Sequence, residues 1–385
     1  MTQFMFSIPT RVEFGDGKSG QVGTEIATLV PQKETRAMIV TDSGVRKAGL
    51  LSGIEQSLKQ AGVDYYIFDK VEPNPKDSTV HEAAILFQNR QADVLIAVGG
   101  GSVMDLSKAT GIIAAFGGNI ADYDGFGKVP GNIPPLIAIP TTSGTASEVT
   151  SWAIITNAMN HVKMGVGDLK IAPKIALVDP ILTISLPRQI TLGTGLDALT
   201  HAIESYTSKP ANPPSDSLAI RAIQLISTNF PRVLDDGQDE RGREGMMLGS
   251  LLAGMSFTNA DCAAVHSLSE SIGGLYDAPH GIINGILLPY VMAFNLPSRP
   301  EKFADIASAL GTEHSPEAAV KHVSEIERSF KIPGLSDFGV RKEDFSKLAE
   351  MAMQHPCTQS NPRTPTFDDF VKILDNAFNE SPVLE

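Results

Sequence analysis

The feature that most constrains the fold is an abrupt change of texture near Ser185, Leu186 and Pro187. Ahead of it, short β-branched runs at 37–41, 93–98, 135–139 and 175–178 alternate with amphipathic stretches such as 47–61 and 78–91. Runs that are apolar at every position suit strands buried on both faces, which is the situation in a parallel sheet covered by helices. Beyond residue 190 such runs largely vanish, and long Ala-, Leu-, Met- and Glu-rich segments follow one another with Pro and Gly breaks. The expected organisation is an α/β domain with a parallel sheet over 1–187, followed by an all-helical domain over 188–385.

Four residues in the second half carry the strongest chemical signal. Asp197 and His201 stand four apart in GLDALTHAIESY, so a helix would present both from one face. His266 and His280 lie in VHSLSESIGGLYDAPHG. One carboxylate and three imidazoles form a borderline-soft donor set that suits iron(II), zinc, cobalt or nickel better than magnesium or calcium. Four such ligands leave a fifth position open, as catalytic rather than structural sites do. An isolated Asp and His at helical spacing is more often a capping or surface pair, and the two further histidines are what shift the balance. The other five of the eight histidines, His81, His161, His314, His322 and His355, have no comparable partner spacing. Whether the two segments meet in space is not contained in the spacing.

Composition narrows the partners. The 385 residues are 42% apolar and 19% charged, which is ordinary for a globular protein with room for two domains. A net charge of -13 without any stripe of Lys or Arg argues against nucleic acid and anionic membranes and leaves small molecules. Cys262 and Cys357 give no disulfide framework, the N-terminus has no signal-peptide pattern, and no apolar stretch reads as membrane-spanning, so a cytoplasmic location is expected.

The first half holds a phosphate-binding pattern. Val98 ends an apolar run, Gly99, Gly100 and Gly101 follow, and Ser102 to Asp105 reads as a capped helix start, which would bring backbone N–H groups and a positive helix end close to a pyrophosphate. The usual dinucleotide fingerprint is absent, because Met104 stands where its third glycine would be. A triple glycine also serves a tight strand-to-helix turn for steric reasons alone. Asp42, just past the 37–41 run, has two readings as well: acceptor for a ribose diol, repelling a 2′-phosphate, or cap of the turn into Ser43 and Gly44. The hydroxyl-rich loop TTSGTASE (141–148) follows the 135–139 run, where doubly wound sheets bind ligands.

Taken in order, FGDG (14–17), VTD (40–42), PNP (73–75), GGGSVMDLSK (99–108), TTSGTASE (141–148), DP (179–180), TGLDALTHAIESY (194–206), VHSLSESIGGLYDAPHG (265–281) and NPR (361–363) resemble the iron-containing, or group III, alcohol dehydrogenase family over nearly the whole chain. The resemblance implies a dinucleotide-binding α/β domain, a helical metal-binding domain, NAD(P) with Fe2+ or sometimes Zn2+ between them, and homo-oligomers built from dimers. It makes Asp197, His201, His266 and His280 the metal ligands. It makes Gly99, Gly100, Gly101 and Ser102 the pyrophosphate loop, with Asp105 in the same cofactor-binding segment. Asp42 would sit at the adenosine ribose, Asn74 near the cofactor, Thr141, Thr142 and Thr145 along it, and Lys163 near the nicotinamide ribose. Many relatives carry a further histidine one helical turn after the third ligand; here that position is Glu270.

The reaction implied is metal-assisted hydride transfer between a nicotinamide and a short primary alcohol or aldehyde, with His266 and Glu270 as catalytic candidates. Glu270 would either hold a ligand imidazole through its second nitrogen or stand near the open metal position. As a second carboxylate beside Asp197 it would disfavour acidic substrates. A sugar-phosphate cyclising lyase of the dehydroquinate synthase type is the alternative, but it needs basic residues around the metal, and 194–206 and 265–281 contain neither Lys nor Arg. A binding protein without catalysis is the third class, and the intact donor set argues against it.

Overall fold

The computed structural model describes residues 3–31, 34–159 and 162–384. His161, set apart in the sequence, lies outside them. Six strands, β1 Arg11–Phe14, β2 Arg36–Asp42, β3 Asp64–Val71, β4 Val94–Gly99, β6 Leu136–Pro140 and β9 Ile175–Val178, form one wholly parallel sheet in the order β1-β9-β6-β4-β2-β3. The four expected runs are the four inner strands. The edges β1 and β3 escaped notice because they are only partly buried, so they lack the unbroken apolar signature.

Alternation along the inner strands serves two cores. Met38, Val40, Leu95, Ala97, Leu136 and Ala138 pack with the helices Asp77–Asn89 and Gly101–Phe116. Ala37, Ile39, Ile96, Val98, Ile137 and Ile139 pack with Val22, Ile26, Ile54 and Leu58 from Val22–Leu29 and Ser52–Gln60. A second sheet that the sequence did not suggest joins β5 Gly125–Phe126, β8 Lys163–Gly167 and β7 Trp152–Thr156, with β7 and β8 antiparallel. The helix expected over 47–61 is broken into Ser43–Lys47 and Ser52–Gln60 around Gly49, which has a φ of 74°.

The chain divides into two compact units, Ile8–Leu186 with Gln238–Met247, and Met1–Ser7 with Pro187–Gly237 and Leu248–Glu385. Two segments therefore differ from a division into 1–187 and 188–385, and local hydrogen bonds account for both. Asn259 grips Ser7 twice, accepting from its N–H at 2.6 Å and donating to its carbonyl at 3.1 Å. Gln238 donates to the Ile184 carbonyl at 3.2 Å and Arg243 to that of Leu186 at 3.4 Å. Among the described residues, every regular element after Pro187 is helical. One apolar segment, His280–Ser298, is 19 residues long with an 18-residue window of mean hydropathy 1.2, and 67% of that window is buried inside the protein, as in a core helix.

Several sequence motifs are latches. Asp179 of DP accepts hydrogen bonds from the Gly17 N–H, the Ser19 N–H and the Ser19 hydroxyl, fastening the FGDG turn. Asn361 of NPR exchanges amide hydrogen bonds with Asn295 at 2.9 and 2.7 Å and accepts from the Ala264 N–H at the start of the His266 helix.

Candidate metal and cofactor sites

The helix Arg188–Thr207 is buried on nearly every side, so its polar side chains must find partners within the protein. Asp197, His201 and Glu204 stand at i, i+4 and i+7 on it and form one stripe. His266 is the third residue of Ala264–Tyr276, and His280 opens His280–Asn295. The Arg188–Thr207 and His280–Asn295 helices meet backbone to backbone: a Cβ on Gly281 would lie 2.1 Å from the Gly193 carbonyl oxygen and 3.1 Å from the Asp197 Cβ.

Three of the four expected ligands, Asp197, His266 and His280, bring donor atoms within 4.8 Å of one another, and His201 adjoins them, with Nδ1 toward Asp197 and Nε2 toward His266. Asp197 Oδ1 is 3.7 Å from His201 Nδ1, 3.8 Å from His266 Nε2 and 3.6 Å from His280 Nε2, and the Nε2 atoms of His201 and His266 are 3.0 Å apart. Donor atoms about 2.0–2.2 Å from one divalent ion have separations of this order. Asn284, one turn after His280, donates from Nδ2 to Asp197 Oδ1 at 2.9 Å, and this nitrogen is 3.1 Å from His280 Nε2 and 3.4 Å from His266 Nε2. An electropositive group already stands where these lone pairs meet, while the Asn284 Oδ1 is buried without a hydrogen-bond partner among the described residues. The residues present thus fit a divalent cation. The charges of His201, His280 and His266 and the Asn284 hydrogen bond outweigh burial and hold the Asp197 carboxyl below its ordinary range. Burial works against a charged His266, and Glu204, Asp197 and Glu270 more than offset it, raising its pKa.

Two residues were missed in the sequence. Glu204 stands 2.6 Å from His266 Nδ1; its place at i+7 from Asp197 was the available signal. Cys262, buried and with its thiol pKa pushed well up by burial, lies with His201 and His266 in a second group whose donor atoms are within 4.8 Å of one another. Glu270 does not hold His266. Its Oε1 is 3.8 Å from His280 Nδ1, beyond hydrogen-bond reach, and the Ser269 hydroxyl is nearer that nitrogen at 3.3 Å. None of His81, His314, His322 and His355 belongs to either donor group.

In the α/β unit, Gly99 ends β4 and the next helix begins at Gly101 with Gly100 as its N-cap, so Ser102 lies inside the first turn rather than capping it. The glycines interlock with the hydroxyl-rich loop. A Cβ on Gly100 would lie 3.2 Å from Thr142, and one on Gly101 would lie 2.6 Å from Thr145 Cγ2 and 2.8 Å from its Oγ1; the Thr141 N–H donates to the Gly99 carbonyl at 3.0 Å. Asp105 accepts from the Ser147 hydroxyl at 2.6 Å and the Ile154 N–H at 3.1 Å. Lys108, with no exposed surface, donates to Ser147, Thr150 and the Trp152 carbonyl at 2.6–2.9 Å. Burial lowers its pKa to about 8 and raises that of neighbouring Glu148 to about 7. Asp42 caps its own turn, Oδ1 accepting from Gly44 at 2.7 Å and Val45 at 2.9 Å. Asn74 adopts a left-handed φ of 52° in the PNP turn, and Lys163 opens β8 opposite Thr156.

Family comparisons match both halves of the chain. The sequence model for iron-containing alcohol dehydrogenase matches residues 9–180, and that for the C-terminal part of the Fe-containing alcohol dehydrogenase family matches 191–378. The chain belongs to the iron-containing alcohol dehydrogenase family and is an oxidoreductase acting on alcohols and aldehydes, which removes the lyase alternative. Among its relatives, an NAD-dependent methanol dehydrogenase of Bacillus methanolicus is 41% identical over 97% of this chain and 99% of its own length. A 1,3-propanediol dehydrogenase of Citrobacter freundii is 39% identical over 97% and 99%. A crystal structure of a 1,3-propanediol oxidoreductase superposes with a TM-score of 0.94 at 39% identity, covering 98% of this chain and 100% of the other.

Proposed function

We propose that the chain interconverts short neutral primary alcohols or diols with their aldehydes, using NAD and a divalent metal, Fe2+ in preference to Zn2+, held by Asp197, His201, His266 and His280. The convergence of Asp197, His266 and His280 around the Asn284 amide nitrogen, with His201 Nε2 3.0 Å from His266 Nε2, is the observation that supports the reading. When bound, the cation acidifies an alcohol oxygen or polarises a carbonyl, and the nicotinamide takes or gives hydride. The chain's own part is to bind and orient. Backbone N–H groups at Gly100, Gly101 and Ser102, at the positive end of the Gly101–Phe116 helix, suit a pyrophosphate. Asp105 and Lys108 hold Ser147, at the end of the hydroxyl-rich loop, and Thr141, Thr142 and Thr145 line the cofactor. Asp42 favours a free ribose diol over a 2′-phosphate, with Asn74 and Lys163 as further cofactor contacts. Glu270 adds negative potential beside His280 and disfavours substrates bearing a carboxylate. We further place the protein in the cytoplasm as a homo-oligomer built from dimers, the assembly that the resemblance of its motifs implies.

The test is a 340 nm assay of wild type and His266→Ala with butanal and succinic semialdehyde, alongside metal analysis. Wild type should reduce butanal with the higher kcat/KM, and His266→Ala should lose most metal and nearly all turnover while still binding NADH. A variant with stoichiometric metal and undiminished rates would refute the ligand set, and a wild type that prefers the acid aldehyde would refute the substrate class.

A further inference from the structure

A residue outside the expected ligand set is tied to the start of the His266 helix and to His266 itself. Glu204 is 3% exposed. Its Oε2 accepts from the Ala263 N–H at 2.9 Å and stands 2.6 Å from His266 Nδ1, while Oε1 accepts from the Val265 N–H at 2.7 Å. A carboxylate so buried is tolerable only when its lone pairs are this well occupied. The helix Ala264–Tyr276 has Ala263 at its N-cap and no capping side chain of its own. Glu204 does that work from the neighbouring helix, with its negative charge at the positive helix end.

We propose that Glu204 is a positioning residue that decides which nitrogen of His266 faces the metal. A neutral imidazole has one N–H and one lone pair, and the hydrogen bond at one nitrogen fixes the other. Both Glu204 oxygens already accept backbone N–H bonds, so the carboxylate takes the Nδ1 proton as an acceptor. That leaves the lone pair on Nε2, the atom 3.0 Å from His201 Nε2 and 3.8 Å from Asp197 Oδ1. One helix thereby supplies two ligands and orients a third. This rests on the reading of Asp197, His201, His266 and His280 as one metal site.

The experiment uses full-length wild type, Glu204→Gln and His266→Ala, with zinc affinity measured by competition against a chromophoric chelator and NADH binding plus thermal unfolding as the check of fold. Glu204→Gln keeps the volume but loses the charge and sets an N–H2 against a backbone N–H. It should bind zinc about 10- to 100-fold more weakly with NADH binding retained. In wild type loaded with zinc, 15N-histidine NMR should show His266 protonated at Nδ1 and coordinated through Nε2, a signature that a merely structural role would not produce. Wild-type zinc affinity in Glu204→Gln, with His266→Ala impaired, overturns the proposal alone; wild-type affinity in both variants removes the metal reading beneath it. Should Glu204→Gln fail to fold, the wild-type spectrum decides, and a proton on Nε2 overturns the proposal.

Discussion

Replacing Gly101 by Ala probes whether the glycine loop is shaped by sterics alone or also serves the cofactor. The added methyl would sit 2.6 Å from Thr145 Cγ2 and 2.8 Å from its Oγ1, closer than real carbon contacts, so the helix start or the threonine loop must shift. Overpacking of this kind costs about 1–3 kcal/mol, against a gain of about 0.5–1 kcal/mol from replacing glycine in a helix. The middle of each range leaves a net loss of about 1.2 kcal/mol, which corresponds to roughly 8-fold in NADH affinity if it falls wholly on the binding-competent form. NADH fluorescence titration gives the dissociation constant and calorimetry the Tm. Adding Thr145→Ala removes the two nearest atoms and leaves only Cβ, at 3.1 Å, so the double variant should recover most of the loss, a coupling that a mutant cycle measures. Unchanged NADH affinity and Tm in Gly101→Ala would refute the reasoning, and an affinity loss that Thr145→Ala does not relieve would locate the effect at the phosphate rather than at the threonine.

Asp42→Gly should narrow the preference for NADH over NADPH, read as the ratio of kcat/KM values; a wild type that already prefers NADPH would remove the ribose assignment. Cobalt(II)-loaded protein should show visible d–d bands without intense near-ultraviolet thiolate-to-cobalt absorption, because the proposed donors are oxygen and nitrogen. A strong band abolished by Cys262→Ser would transfer the ion to the His201, Cys262 and His266 group. Burial raises the Glu148 pKa from 4.5 to about 7, so the native state holds a proton there that the unfolded chain releases. Its stabilising contribution is present below about 4.5 and lost as pH rises through 7. Relative to Glu148→Gln, wild type should lose stability between those values in urea melts, and parallel pH profiles would contradict the shift.

What the sequence revealed followed burial. The inner strands were legible because both faces are covered and every position is apolar. The edges β1 and β3 and the small β5-β8-β7 sheet mix exposed and buried positions, so no period survives to be read. Asp197 and His201 were legible because helical spacing is local. Their meeting with His266 and His280 depends on how the helices pack, which spacing does not encode. Glu204 lies in the same motif, but its partners, the Ala263 and Val265 N–H groups and His266, come from a distant stretch of chain. Serine is the commoner cap, which points to Ser102, but the close approach of Thr145 leaves room only for a glycine at Gly101, and the cap position falls to Gly100. Asp42 kept both of its readings: the cap is present, and the ribose awaits its test.

The contact between Gly281 and the Gly193 carbonyl has a bearing on which ions this centre can hold. Where two helices touch through their main chains, the distance between the side chains they carry is not adjustable by repacking, because nothing compressible lies between them. The backbone that carries His280 is therefore held at a fixed distance from Asp197. His266 is clamped from behind by Glu204, and His201 is stacked on Phe257 with ring centroids 4.3 Å apart. The freest of the four is His280, whose side chain is 23% exposed and turns about bonds beyond the anchored backbone. A change of ionic radius, iron for zinc, would thus be absorbed as the tilt of a single imidazole while the rest of the cage kept its dimensions.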